Sequence, residues 1–218
     1  MKNYLLAFVA LLVVTPLACV ADNFDYTYLD AGLTSAKHDS LSGGNGLGVR
    51  GSLRFGTRYF GYAAYDEHRF DHTSTAYGWE FVHFGAGMHA GLTDNLDFVA
   101  FLGAVSATTT YRGYGLSLAD HGYEAGAGLR AKLSDSLELD ADIRHDTVAL
   151  QWNTYTVACS PPYCTSALGT AVGTDHAENV VSAGLEYALS HHFGLGLDYS
   201  RSNFQGMQVW KLSGRWNF

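Results

Sequence analysis

The last stretch of the chain, Gly206 to Phe218, constrains the fold most. Counting back by twos from Phe218 gives Trp216, Gly214, Leu212 and Trp210; the positions between are Asn217, Arg215, Ser213 and Lys211. Side chains alternate across a strand, so one face of this segment is oily and the other is polar and charged. The same pattern recurs upstream. Leu47, Val49, Leu53 and Phe55 oppose Arg50, Ser52 and Arg54, and Leu137, Leu139, Ala141 and Ile143 oppose Glu138, Asp140, Asp142 and Arg144. Tyr123, Ala125, Ala127, Leu129 and Leu133 oppose Glu124, Arg130 and Lys132, while Phe193, Leu195, Leu197 and Tyr199 oppose Gly194, Gly196 and Asp198.

The medium on the oily side follows from the other end of the chain. Lys2, the apolar run Tyr4–Val14, Pro16 and small residues up to Ala21 read as a secretory signal peptide, residues 1–21, cleaved before Asp22. Its apolar run is too short to span a bilayer, and no later stretch reaches the roughly 18 apolar residues of a helical span. Backbone groups in lipid must all be paired, so a membrane reading leaves only the closed barrel. Glycine is frequent at 25 residues and proline scarce at three, as closely paired strands require. Net charge is −8, and −9 once Lys2 leaves with the leader, which excludes nucleic acid as a partner. The expected fold class is therefore all-β: a closed antiparallel transmembrane β-barrel forming one domain over 22–218, with ten strands and eight as the alternative.

The strands expected are 24–33, 46–56, 58–67, 78–91, 96–110, 121–133, 136–152, 178–189, 193–202 and 207–218. Short turns at Gly56-Thr57, Thr93-Asp94-Asn95, Ser134-Asp135 and Ser190-His191-His192 alternate with longer polar loops at 34–45, 68–77, 111–120, 153–177 and 203–206. This is the rhythm of periplasmic turns and extracellular loops. Tyr26, Tyr28, Tyr59, Tyr62, Trp79, Tyr111, Trp152, Tyr187, Tyr199, Trp210 and Trp216 lie near strand ends, where two interfacial girdles are expected.

The leader, the amphipathic segments and the closing Trp216-Asn217-Phe218 together resemble the small outer-membrane β-barrel proteins of Gram-negative bacteria, a broad group with OmpX-like and opacity-like members. The resemblance is one of pattern over the whole mature chain. It implies location in the cell outer membrane among lipid and lipopolysaccharide, with Trp210, Leu212, Trp216 and Phe218 read as an insertion signal by the barrel-insertion machinery. It also implies loops displayed to an extracellular ligand or host surface. Functions in such a group range over adhesion, host interaction, small-solute passage and, in a few members, hydrolysis.

Chemistry concentrates on the polar face. Arg50, Arg54, Glu124, Arg130, Lys132, Glu138, Asp140, Asp142, Arg144, Glu186, Asp198, Lys211 and Arg215 are all expected to face the lumen. They form either a paired polar core that holds the barrel shut or the lining of a narrow passage for small solutes. Asp140, Asp142, His145 and Asp146 resemble an acid/base cluster, but Arg130 and Arg144 beside them point to charge pairing. No enzyme activity, cofactor or metal is expected. His38, His68, His72, His121 and His176 are assigned to loops as solvated groups, and His83 and His89, on one face of the fourth strand, to the lumen. Cys159 and Cys164 flank Ser160-Pro161-Pro162-Tyr163 in the longest loop and are expected to form a disulfide in an oxidising compartment. The function expected is a structural or adhesin-like surface role, with a narrow small-solute channel and, behind it, an outer-membrane hydrolase as alternatives.

Overall fold

In the computed structural model, which describes residues 24–38, 41–71, 76–111, 116–148, 155–160, 163–168, 177–203 and 206–218, the alternating segments pair edge to edge into a barrel. Its strands are β1 (Tyr28–His38), β2 (Leu41–Phe55), β3 (Tyr59–Asp71), β4 (Ala76–Thr93), β5 (Leu96–Tyr111), β6 (Leu116–Ser134), β7 (Leu137–Asp146), β10 (Glu178–Ala188), β11 (Phe193–Ser202) and β12 (Gln208–Asn217). Between β7 and β10 stand β8 (Tyr155–Ser160) and β9 (Tyr163–Leu168), a separate two-stranded hairpin. Each barrel strand is antiparallel to both neighbours, and β12 closes against β1 with Leu29 opposite Trp216 and Leu33 opposite Leu212. Ten strands, not eight, complete the circuit.

Register converts sequence alternation into an inside-out protein. Leu33 lies between Leu47 and Leu212; Leu212 pairs with Leu197, Leu197 with Leu185, and Leu185 with Leu139, so outward leucines form a belt across six strands. Leu33 is 74% exposed, whereas Asp30 on the other face of the same strand is 2% exposed. In water such a belt would bury little and cost much. Against acyl chains it is the solvated surface. Aromatic residues edge the belt. Tyr199 packs on Trp210 at one end, and at the other Trp216 packs between Phe193 and Phe218 while Phe55 stacks on Tyr59. Gly56, at a φ of 72°, makes the left-handed corner of the tight β2–β3 turn.

Four expectations are corrected. The loops placed at 34–45, 68–77 and 111–120 are mostly strand: β1 runs to His38, β2 starts at Leu41, and β3 to β6 extend likewise. Outside lipid a paired strand needs no apolar face, so polar residues such as Thr108, Thr109 and Thr110 continue the ladder by cross-strand pairing alone. The first strand begins at Tyr28, not residue 24, because Phe24 and Tyr26 fold into the barrel mouth. The seventh ends at Asp146 rather than 152. Tyr26, Tyr28, Tyr62 and Trp79 leave the expected girdles: Tyr26 is 3% and Trp79 1% exposed, and both rings lie inside the barrel. Narrow barrels must fill their interior, and rings over glycine do so here. A Cβ on Gly87 would overlap the Phe60 ring, and one on Gly126 would overlap Phe101. Tyr59, Tyr187, Tyr199, Trp210 and Trp216 do face outward; the side chains of Tyr111 and Trp152 lie outside those described. The segment 1–21, expected to be the leader, also lies outside the described residues.

Gly87→Leu tests this packing. With no room over Phe60, the variant should lose about 1–3 kcal/mol, read as a lower temperature for the folded-to-unfolded gel shift.

Candidate functional site

The interior is organised in levels from the short-turn end upward. At the periplasmic mouth, Asp25 Oδ1 accepts a hydrogen bond from the Thr27 backbone N–H at 2.8 Å and turns the segment before β1 into the lumen. Tyr26 then stacks on His89 with ring centroids 4.0 Å apart and on Phe60 at 5.3 Å. Its hydroxyl donates to Asp97 Oδ2 at 2.9 Å, and His89 Nδ1 lies 3.2 Å from the same carboxylate oxygen. Arg130 covers the faces of Phe24 and Tyr26 at 5.3 and 5.1 Å and donates to the Asp25 carbonyl at 2.7 Å. Two further Arg130 bonds, at 3.0 and 2.6 Å, reach Glu138 Oε2, and Lys132 Nζ lies 3.9 Å from that carboxylate.

Above the mouth lies a seam of charges. On β12 both Lys211 and Arg215 pair with Asp30 of β1, and Arg215 also pairs with Glu186 of β10. Arg215 covers Tyr28 at 4.0 Å. On the opposite wall Glu124, 2% exposed, accepts the Tyr62 hydroxyl at 2.6 Å and meets His83 Nδ1 at 2.8 Å and Arg144 at 3.5 Å. Arg144 donates to Asp146 at 2.9 Å, and Ser182 to Asp142 at 2.6 Å. Asp140 and Asp198 approach each other over Gly184, where a Cβ would lie 2.6 Å from an oxygen of each.

Two cavities of about 180 and 120 Å³ lie among these groups and share Arg50, Asp66, His83, Asp140, Asp142, Arg144 and Ser182 as a common waist. At the far end Phe70 and Trp79 pack with Ala36, beside His38, Met207 and Val209.

The register places all thirteen charges expected in the lumen on the inward side, though Arg54 is exposed at the periplasmic rim and Lys132 stands near it. Sequence reasoning missed Asp30, Asp66, Asp97 and Asp146 as lumen groups. The even spacing of Asp30 from Tyr28 and Thr34, opposite Leu29 and Leu33, carried that information. His38 and His68, assigned to loops, are strand residues 2% and 3% exposed; His68 Nδ1 meets Thr34 Oγ1 at 3.2 Å. His121 is exposed on β6, and His72 and His176 lie outside the described residues. The Asp140, Asp142, His145, Asp146 cluster is split by the pleat: His145 points outward to Asn179 at 2.9 Å, while Asp146 is buried inside. Trp210, Leu212, Trp216 and Phe218 line the outer face of the closing strand and its end. Cys159 and Cys164 are directly opposed in the β8–β9 register.

A closed ten-stranded barrel with a lipid-compatible exterior and an ion-paired interior is an outer-membrane architecture. Residues 4–158 match the family described as outer membrane protein beta-barrel domain, and the chain belongs to that family. No curated protein matches it. Among solved structures it is similar to Ail, the attachment invasion locus protein of Yersinia pestis, at 13% identity and TM-score 0.39, covering 89% of this chain and 100% of that one. It is also similar to Neisserial surface protein A, at 12% identity and TM-score 0.42, covering 88% and 96% of the two chains. OprG from Pseudomonas aeruginosa matches at 8% identity and TM-score 0.44, covering 90% and 98%.

Removing Glu124 should take the carboxylate from Tyr62 and His83 at once and leave Arg144 with Asp146 alone of its two carboxylate partners. Glu124→Ala is expected to cost about 3–5 kcal/mol, against about 1–3 kcal/mol for Tyr62→Phe, which removes one bond and leaves the charges paired. Urea unfolding in lipid vesicles measures both.

Proposed function

We propose that this protein is a non-enzymatic, adhesin-like surface protein of the outer membrane, whose contact surface is the part of the strand wall and hairpin standing beyond the lipid. The observation that carries this reading is length. β4 has 18 residues and β6 has 19, whereas a tilted membrane strand needs about 9–11. The surplus lies at the end opposite the short turns, where outer-membrane barrels meet the outside. The β8–β9 hairpin adds to it.

The hairpin's composition supports a particular kind of contact. From Thr147 to Thr174 there is no Asp, Glu, Lys, Arg or His, but there are Trp152, Tyr155 and Tyr163 among threonines and alanines. Such a surface binds by apolar and neutral hydrogen-bonding contact rather than by charge. Cys159 and Cys164 close it as a disulfide. Directly opposed residues of an antiparallel pair have Cα atoms about 4.5–5.5 Å apart, within the span a disulfide bridges. A covalently closed hairpin has less backbone freedom to lose on binding.

Cells displaying the protein with residues 155–168 replaced by a short Gly-Ser turn should lose adherence to an epithelial monolayer while the barrel keeps its heat-modifiable gel migration. The wild-type adherence should hold as salt is raised; retention of full adherence by the hairpin-less protein would refute the reading. A thiol titration of unreduced mature protein should find no reactive group at Cys159 or Cys164.

A further inference from the structure

We propose that the lumen is also a passage for small monovalent cations, shut at its periplasmic mouth by a withdrawable plug made of Phe24 to Thr27. Three observations carry this.

The first is that the plug is attached to the barrel without being part of its wall. Strand pairing on both sides of β1 begins at Tyr28, opposite Asn217 and Ser52. Withdrawal of the preceding residues therefore breaks no rung of the closed ladder. Outside the lumen the segment is tied by peripheral bonds, from the Arg54 backbone N–H to Thr27 Oγ1 and from the Phe218 backbone N–H to the Thr27 carbonyl, at 3.2 and 3.3 Å.

The second is that the three charges placed against the plug's side chains and backbone among the described residues, Asp97, Arg130 and Lys132, each have a partner that stays behind, Glu138 at 3.9 Å in the case of Lys132. Asp97 keeps His89 at 3.2 Å when the Tyr26 hydroxyl leaves. Arg130 keeps both bonds to Glu138 when the Asp25 carbonyl leaves. An uncompensated buried charge would make opening prohibitive, and none is created at Asp97, Arg130 or Lys132. The plug is instead held mainly by the burial of two rings, Phe24 and Tyr26, each 3% exposed.

The third is what lies behind it. Tyr26 and Phe60 form the floor of the lower cavity, which meets the upper one at the Arg50 waist. The upper cavity reaches Glu178, Ser202 and Met207, at the outer ends of β10, β11 and β12. The two thus run from the plug to the extracellular strand ends. Beyond the shared waist the upper cavity adds three carboxylates, Asp146, Glu178 and Asp198, and one ammonium, Lys211, which Asp30 already neutralises. Asp146 Oδ1 is buried with no hydrogen-bond partner among the described residues. Over the two cavities together seven carboxylates face four guanidiniums and that one ammonium, and a polar passage with this balance concentrates cations and repels anions.

Planar-bilayer recording in a KCl gradient, using the mature full-length protein, tests this. The wild type should be mostly silent. Phe24→Ala/Tyr26→Ala should open to steady steps whose reversal potential lies toward that of potassium, and the milder Tyr26→Phe, lacking only the hydrogen bond to Asp97, should raise open probability roughly tenfold. Heat-modifiable migration identifies folded protein, and if the double variant does not fold, Tyr26→Phe decides by the same readout. Folded variants as silent as the wild type, a wild type already conducting as much as the variants, or a reversal potential toward chloride would each overturn the proposal. None of these results bears on adherence through the hairpin.

Discussion

The pairing of β1 with β12 is the contact on which the rest depends. A transmembrane sheet with an open edge would leave backbone N–H and C=O groups unpaired in hydrocarbon, at several kcal/mol each. Closure removes both edges at once, and here the chain's final residues supply it. The seam is fastened on two sides by different physics. Leu29, Leu33, Leu212 and Trp216 meet on the lipid face, and Asp30 takes both Lys211 and Arg215 on the inner face. The inner pairs are strong only because the lumen is narrow and poorly hydrated, which is itself a result of closure.

From that constraint follows the division of the interior. A ten-stranded barrel has too much lumen to be filled by short side chains and too little to form a wide channel. The protein fills one mouth with rings, Phe24, Tyr26 and Phe60, and the β1–β4 side of the other with Phe70 and Trp79, and leaves ion-paired chambers that reach past them to Glu178 and Ser202 on β10 and β11. Glycines at 85, 87, 103 and 126 give the rings Phe60, Tyr62 and Phe101 their space. Aromatic residues therefore do two jobs that look the same in sequence: those facing lipid mark the interface, and those facing inward plug the lumen.

The inward charges were legible because each sits opposite an apolar neighbour in an unbroken alternation. Glu138, Asp140, Asp142 and Arg144 could face only one way once Leu139, Ala141 and Ile143 faced lipid. Trp79 was misjudged although its even spacing from His83 and His89 put all three on one face; proximity to a strand end outweighed parity. His38 and His68 were misjudged because polar residues beyond the membrane look like loop whether or not they are paired. The split of His145 from Asp146 was readable from parity alone, since adjacent strand residues point to opposite sides.

The sequence by itself determined that this is a lipid-facing barrel of ten or eight strands and which side the charges inside its clearly alternating segments take, because period-two alternation is a local property that survives any arrangement of neighbours; the count of ten came from the closed circuit. Only the tertiary structure decided which charge meets which, that Tyr26 lies on His89 rather than at the lipid surface, and that two chambers meet at Arg50. Those facts depend on the register between strands distant in sequence and on how the closed wall curves, and neither is written in the pattern of any single strand.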